Sequence, residues 1–207
     1  MLLTPVRDVL PAVEVFALHD YDIPVIVWDD IKSVVDCGAN VGTFALWVAQ
    51  KSACRILAVE PDPRTFALLE RNVAGLAHRV SLLQAAVAGH DGTRMLYARA
   101  ETSSSSFFGA ADSAVRQVHV QTLTLADVLR RAPSLPIDLL KIDIEGAEYE
   151  VFQSCDTCDL AQVRVAIVEC HSVTDDDLAL VTTRLGTSGM TVAVERRHGT
   201  GLVVAWR

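Results

Sequence analysis

The chain is predicted to fold as an α/β domain whose sheet is mostly parallel and covered by helices on both faces. Three observations predict it. Short apolar, β-branched runs alternate with helical patterns through most of the sequence. Several runs are apolar at consecutive positions, so both faces of those strands are buried. A glycine-rich corner, DCGANVG at 36–42, ends the first of them, where an open parallel sheet binds its ligands. With 207 residues, 51% hydrophobic and 21% charged, the chain can bury one full core, and no repeat or linker divides it.

The elements follow in order. The first 33 residues carry the least pattern and are read as an N-terminal extension. It is expected to be a capping helix with a β-ribbon at VIVW (25–28), laid over the mouth of a main domain at 34–207. SVVDCG (33–38) is the first strand and TFALWVAQK (43–51) its helix. ILAVE (56–60) is the second strand. PRTFALLERNVAG (63–75) is the next helix, with Pro63 in its first turn and Gly75 at its end. VSLLQAAV (80–87) is the third strand. Regularity lapses between 89 and 125, where GHDGT is a turn and MLYA (95–98) and VHVQTL (118–123) are edge strands. The polar segment between them contains TSSSSFF (102–108), a solvated loop or a lid whose Phe107 and Phe108 exclude water. IDLLKIDI (137–144) and VRVAIVEC (163–170) are the fourth and fifth strands, and GAEYEVFQS (146–154) is the helix between them. The helix DDDLALVTTRLGTSG (175–189) starts with acids that its dipole favours. TVAVER (191–196) and GLVVAWR (201–207) close the chain as a hairpin, which makes one strand antiparallel.

A net charge of −8 argues against a large phosphate-neutralising surface, so no nucleic acid partner is expected. No apolar run reaches the roughly 18–20 residues of a membrane span, and the N-terminus lacks a secretory signal, so the expected location is cytoplasmic. Five irregularly spaced cysteines do not make a disulfide framework, and CDTC (155–158) lacks the second pair that structural zinc needs.

The corner is a binding loop. Its glycines permit a sharp turn and a close approach of backbone to ligand, and Asn40 tolerates positive φ. A dinucleotide site expects G-x-G-x-x-G, whereas this loop reads G-x-N-x-G behind an acid, Asp36. That acid repels a pyrophosphate and attracts a cationic ligand. S-adenosylmethionine carries a sulfonium and an amino group and no phosphate. A second acid, Glu60, ends the second strand where a carboxylate can accept ribose hydroxyls. Together the two acids favour the methyl donor over NAD.

VVDCGANVGTFAL, AVEPDP, LLKIDIEGAEYEVF and VAIVECH, in this order and spacing, resemble the FkbM-type methyltransferases, which belong to the class I S-adenosylmethionine-dependent enzymes. The resemblance covers roughly residues 34–171. It implies a Rossmann-like seven-stranded sheet of order 3-2-1-4-5-7-6, with strand seven antiparallel. It places Asp36, Gly38, Ala39, Asn40 and Gly42 around the methionine part of the cofactor and Glu60 at the ribose, with Pro61 and Asp62 beside it. Gln84, Ala85 and Ala86 would border the adenine, and Asp143 the reacting methyl. Family members typically methylate hydroxyls of small molecules or sugars, in natural-product or polysaccharide pathways.

The acceptor's proton must also be removed, and Asp143, Glu145, Glu169 and His171 cluster at the ends of the fourth and fifth strands. Asp143, Glu145 and His171 are the candidate catalytic residues. Glu145 has a competing role as a helix cap, and Glu169 as a buried partner of Lys141. The remaining EGAEYE acids are read as lying on the outer face of their helix. A divalent ion is compatible with these ligand types, but no ligand spacing calls for one and none is expected. The expected activity is therefore O-methylation of a small or carbohydrate-like acceptor. The alternatives are methylation of RNA or protein, and a module that binds the cofactor without catalysis.

Overall fold

The computed structural model describes residues 21, 23–99, 105–106, 115–171, 174–197 and 200–207. Two elements open the domain, strand β1 (Ser33–Cys37) and helix α1 (Thr43–Lys51). They are followed by β2 (Arg55–Val59), α2 (Pro63–Val73) and β3 (Val80–Leu83). Four strands come next: β4 (Ala86–Val87), β5 (Gly92–Arg99), β6 (Ser105–Ser106) and β7 (Val115–Leu123). A short α3 (Leu125–Leu129) leads into β8 (Ile137–Ile142), α4 (Glu148–Ser154) and α5 (Thr157–Leu160). The chain closes with β9 (Val163–His171), α6 (Asp175–Thr187), β10 (Thr191–Arg197) and β11 (Thr200–Trp206).

Seven strands pair in the order β10-β11-β9-β8-β1-β2-β3. Counted along the main sheet this is 3-2-1-4-5-7-6, and β11 alone runs antiparallel to its neighbours. The expected class I methyltransferase sheet is therefore present. Alternation along each buried strand feeds two cores. Val35, Cys37, Leu140 and Ile142 meet α4 and α6 through Phe152, Val181 and Leu185. Val34, Ile56, Ala58 and Leu139 meet α1 and α2 through Phe44, Trp47 and Leu69. The parallel strands carry apolar residues on both faces because helices cover both.

Helix starts follow local chemistry. Asp62 caps α2 by accepting from Arg64 N, with Pro63 at the first helical position. Thr174 and Asp177 form a capping box at the start of α6.

Four expectations need correction. VSLLQAAV is not one strand: β3 stops at Leu83, and Ala86–Val87 pairs with β7 in a second sheet. MLYA and VHVQTL are not edges of the main sheet. They lie in β5 and β7, which pair along their length within that second sheet, ordered β4-β7-β5-β6. VIVW is not a ribbon. The chain coils at Trp28–Asp30 into a 3-10 turn, and Trp28 packs edge-on against Trp47 with ring centroids 4.9 Å apart. The fourth strand ends at Ile142, two residues early, for reasons that belong to the site. Residues 1–20 and 22 of the N-terminal extension and Phe107 and Phe108 of the expected lid lie outside the described residues. Among the described residues, no helix is long and apolar enough to cross a membrane.

Candidate active site

The parallel strands bring their carboxyl ends to one edge. Gly38, Asn40, Glu60, Pro61, Ala85, Ala86, Val87, Leu96, Asp143, Ile144 and Glu145 line a cavity there that opens to solvent.

The loop after β1 reverses direction through three left-handed residues, Gly38 at φ 80°, Asn40 at 51° and Gly42 at 88°. Gly38 sits so close to β8 that an added Cβ would lie 1.8 Å from the Asp143 carbonyl oxygen. Asn40 Oδ1 accepts from Val41 N at 2.8 Å, and its own N–H donates to Glu60 Oε2 at 3.0 Å. The other Glu60 oxygen accepts from Asp62 N at 2.9 Å. Burial pushes the Glu60 carboxyl up to about 7, against these two N–H groups that favour its charge.

Beneath the cavity lies Lys141, which links three of its parts. Its Nζ donates to Gly38 O at 2.9 Å and pairs with Asp36 Oδ1 and Asp143 Oδ2, each at 3.3 Å. Asp36 is fully buried, and neither of its oxygens has a hydrogen-bond partner of good geometry. Burial pushes the Asp36 carboxyl up and Lys141 pulls it back. Burial also works against the Lys141 charge, but Asp36 and Asp143 hold its ammonium well above the ordinary range.

The rim of the cavity is acidic around one imidazole. Asp143 and Glu145 come together with His171, the last residue of β9. His171 Nε2 lies 3.7 Å from both Asp143 Oδ1 and Glu145 Oε2, and Nδ1 lies 3.0 Å from Glu148 Oε1. The strand has ended before these two acids, and Glu145 is left-handed, at φ 57°. Glu145 does not cap α4, whose start has no side-chain cap. Glu148 accepts from Ile144 N at 3.2 Å instead. Burial pushes Glu145 up to about 7, with His171 opposing it. Burial lowers the His171 value, but the bond and charge of Glu148 together with the charges of Asp143 and Glu145 outweigh that and carry it to about 9.

The other expected site residues divide. Ala85 and Ala86 line the cavity, whereas Gln84 is exposed. Ala39 and Gly42 shape the loop: Ala39 is buried, and a Cβ on Gly42 would meet Leu69 Cδ1 at 2.7 Å. Asp62 caps α2 and ion-pairs with Arg116, tying the second sheet to the β2 end.

Several residues were missed. Val87 and Ile144 line the cavity, Leu96 reaches it from β5, Lys141 organises its floor, and Glu148 is fully buried rather than on the outer helix face. A lysine within the apolar run IDLLKIDI was the available signal for Lys141. The i to i+3 spacing of Glu145 and Glu148 was an equally available one for Glu148. Leu96 had none, because the second sheet brings it there.

Comparison with known proteins adds to this geometry. The Methyltransferase FkbM domain matches residues 36–187. A protein named Methyltransferase 1 from Beauveria bassiana is 32% identical, across 88% of this chain and 81% of its own. The 31-O-demethyl-FK506 methyltransferase FkbM of Streptomyces tacrolimicus is 29% identical, across 79% of this chain and 74% of its own. Among solved structures, a putative rRNA-methylase from Clostridium thermocellum superposes with a TM-score of 0.56. It covers 99% of this chain and 97% of its own at 12% identity, a likeness of fold alone.

Proposed function

This chain belongs to the FkbM methyltransferase family and is a methyltransferase, and we propose that it uses S-adenosylmethionine to methylate a hydroxyl oxygen of a small-molecule or sugar-containing acceptor. The observation that carries this reading is the juxtaposition of the cavity at the strands' carboxyl ends, lined by Gly38, Asn40 and Glu60, with the Asp143–Glu145–His171 cluster at its rim.

The residues present fit the cofactor. Each Glu60 oxygen accepts one backbone N–H and keeps a lone pair for a ribose hydroxyl. Ala85, Ala86, Val87 and Leu96 offer an apolar slot for the adenine. Gly38 and Asn40 line the part of the cavity that would take the methionine part, and the buried Asp36 and half-buried Asp143 supply negative charge toward it. When bound, the cofactor supplies a methyl group already activated by its sulfonium.

The protein's remaining task is to orient the acceptor and take its proton. Glu145 fits the second role, since a carboxyl raised to about 7 is a base matched to neutral pH. His171, raised to about 9, is cationic at that pH and steadies the carboxylates beside it. The name of the Streptomyces relative specifies an O-demethyl compound, which supports a hydroxyl acceptor here. The acidic rim and the net charge of −8 disfavour RNA.

Calorimetric titration with S-adenosylmethionine tests the cofactor, with NAD and Glu60→Ala as controls. Micromolar binding is expected, weakened at least about tenfold in Glu60→Ala by the loss of charge-assisted hydrogen bonds. Binding of NAD, or no loss in Glu60→Ala, would sink the reading. Glu145→Gln should then keep cofactor affinity and lose about 100-fold or more in turnover on a responsive hydroxyl acceptor.

A further inference from the structure

We propose that Asp143, Glu145 and His171 bind one divalent cation, which chelates the acceptor at the methyl-donating end of the cavity. The catalytic meaning of this site rests on the methyltransferase reading above, whereas its ability to bind a cation does not.

The separations are those of ligands around an ion that has yet to draw them in. At 3.7 Å, His171 Nε2 is too far from Asp143 Oδ1 and Glu145 Oε2 to hydrogen-bond either. Neighbouring ligands on an octahedral cation with bonds of ~2.1 Å sit about 3 Å apart. Closure by less than about 1 Å brings His171 Nε2 to that spacing from each carboxylate, and the three donor atoms already lie within 4.8 Å of one another.

The imidazole is already held as a ligand would be. Glu148 is fully buried and meets Nδ1 at 3.0 Å, which leaves Nε2 facing the two carboxylates. A histidine backed by a carboxylate on its other nitrogen is the usual arrangement around a bound metal. The second oxygen of Glu148, Oε2, has no hydrogen-bond partner, so this buried carboxylate stands unspent behind the site. Asp143 divides its oxygens between two tasks, with Oδ2 on Lys141 and Oδ1 toward Nε2. Glu145 reaches the cluster only through a left-handed backbone conformation that is unfavourable for any residue with a Cβ. Three carboxylates thus surround one imidazole, and a dication that replaces the Nε2 proton offsets more of their charge than the proton does.

Two carboxylates and an imidazole select a cation such as Mn²⁺ over Ca²⁺, which prefers oxygen throughout. Three protein ligands leave adjacent positions open, and two neighbouring oxygens of one acceptor fill them. The acceptor class that follows is a vicinal diol or an α-hydroxy carbonyl. Coordination acidifies its hydroxyl. The acceptor O–H bond then breaks and an O–H bond forms on the Glu145 oxygen that does not hold the cation, while the cation balances the charge left on the acceptor oxygen.

The test is titration of EDTA-stripped protein with Mn²⁺ alone, reading free Mn²⁺ by electron paramagnetic resonance. One ion per chain is expected. Affinity should fall about tenfold or more in His171→Ala and Asp143→Asn, and about 10- to 100-fold in Glu148→Gln. Glu145→Gln, at a rim position, serves as the variant if a buried substitution prevents folding, and unchanged far-UV circular dichroism qualifies each variant. Absence of Mn²⁺ binding at millimolar concentration, or equal affinity in wild type and variants, overturns the proposal. Calorimetry with S-adenosylmethionine runs beside it. Mn²⁺ binding without cofactor binding supports the cation site and sinks the methyltransferase cofactor reading. Cofactor binding without Mn²⁺ binding sinks the cation site alone.

Discussion

Replacing Gly38 with alanine tests how tightly the binding loop is pressed against the sheet. The added Cβ would lie 1.8 Å from the Asp143 carbonyl oxygen and 2.8 Å from its carbon. Both are backbone atoms, so no rotamer change relieves the clash, and the loop and the β8 end must separate by more than about 1 Å. Several bonds resist that separation: Asp143 N to Cys37 O at 3.0 Å, Gly38 N to Val59 O at 3.0 Å and Lys141 Nζ to Gly38 O at 2.9 Å. The left-handed φ adds about 1–2 kcal/mol, and each strained bond about 0.5–1.5 kcal/mol. A total loss of about 2.5–6.5 kcal/mol follows. For a domain of this size each kcal/mol lowers Tm by about 2–4 °C, so melting should fall by roughly 5–25 °C. Affinity for S-adenosylmethionine should fall with it, because Gly38 and Asp143 both line the cavity. Gly75→Ala is the control, since a Cβ there meets nothing within 4 Å. A Tm within about 2 °C of wild type and unchanged affinity in Gly38→Ala would refute this account of the loop.

Two other perturbations probe the charges. Glu60 binds its proton more tightly folded than unfolded, with the value raised from 4.5 to about 7. It therefore contributes up to about 3 kcal/mol of stability below pH 4.5, lost as pH rises through 7. Ribose binding needs the carboxylate, so S-adenosylmethionine affinity should rise with pH up to about 7, by at most about tenfold per unit. A flat calorimetric profile between pH 5.5 and 8, or the same slope in Glu60→Gln, would count against it. Lys141→Met leaves Asp36 and Asp143 without their shared cation and should cost about 3–5 kcal/mol in urea unfolding. Adding Asp36→Asn should restore part of that loss, and a single-variant cost below about 1 kcal/mol would show that the buried ion pair is not the support described.

The main sheet was legible because its strands are continuous apolar runs between helical patterns, and periodicity is local information. α1 spans the predicted residues 43–51, and β1, β2, β9 and β11 match their predicted runs to within one residue at each end. Local pattern failed where a strand's partner lies far along the chain. Ala86 and Val87 continue the apolar run of β3 but lie in register with Thr122 and Leu123 of β7. IDLLKIDI looks extended to Ile144, yet Asp143 N already donates to Cys37 O, and the chain turns at Glu145 and Gly146 through positive φ.

The site divides along the same line. The order of residues along the chain determined that Asp36, Gly38, Asn40, Glu60, Asp143, Glu145 and His171 would meet, since parallel strands deliver their carboxyl ends to one edge whatever the side chains do. The family motifs are carried by those same ends. Tertiary structure decided what each group does there. Burial raised Glu60 and Glu145, Lys141 rose between two carboxylates, and Glu148 turned inward to hold His171. The second sheet brought Leu96 to a cavity wall that no nearby motif announces. These outcomes depend on desolvation and on neighbours roughly 20 to 100 positions away, and neither quantity exists until the chain has folded.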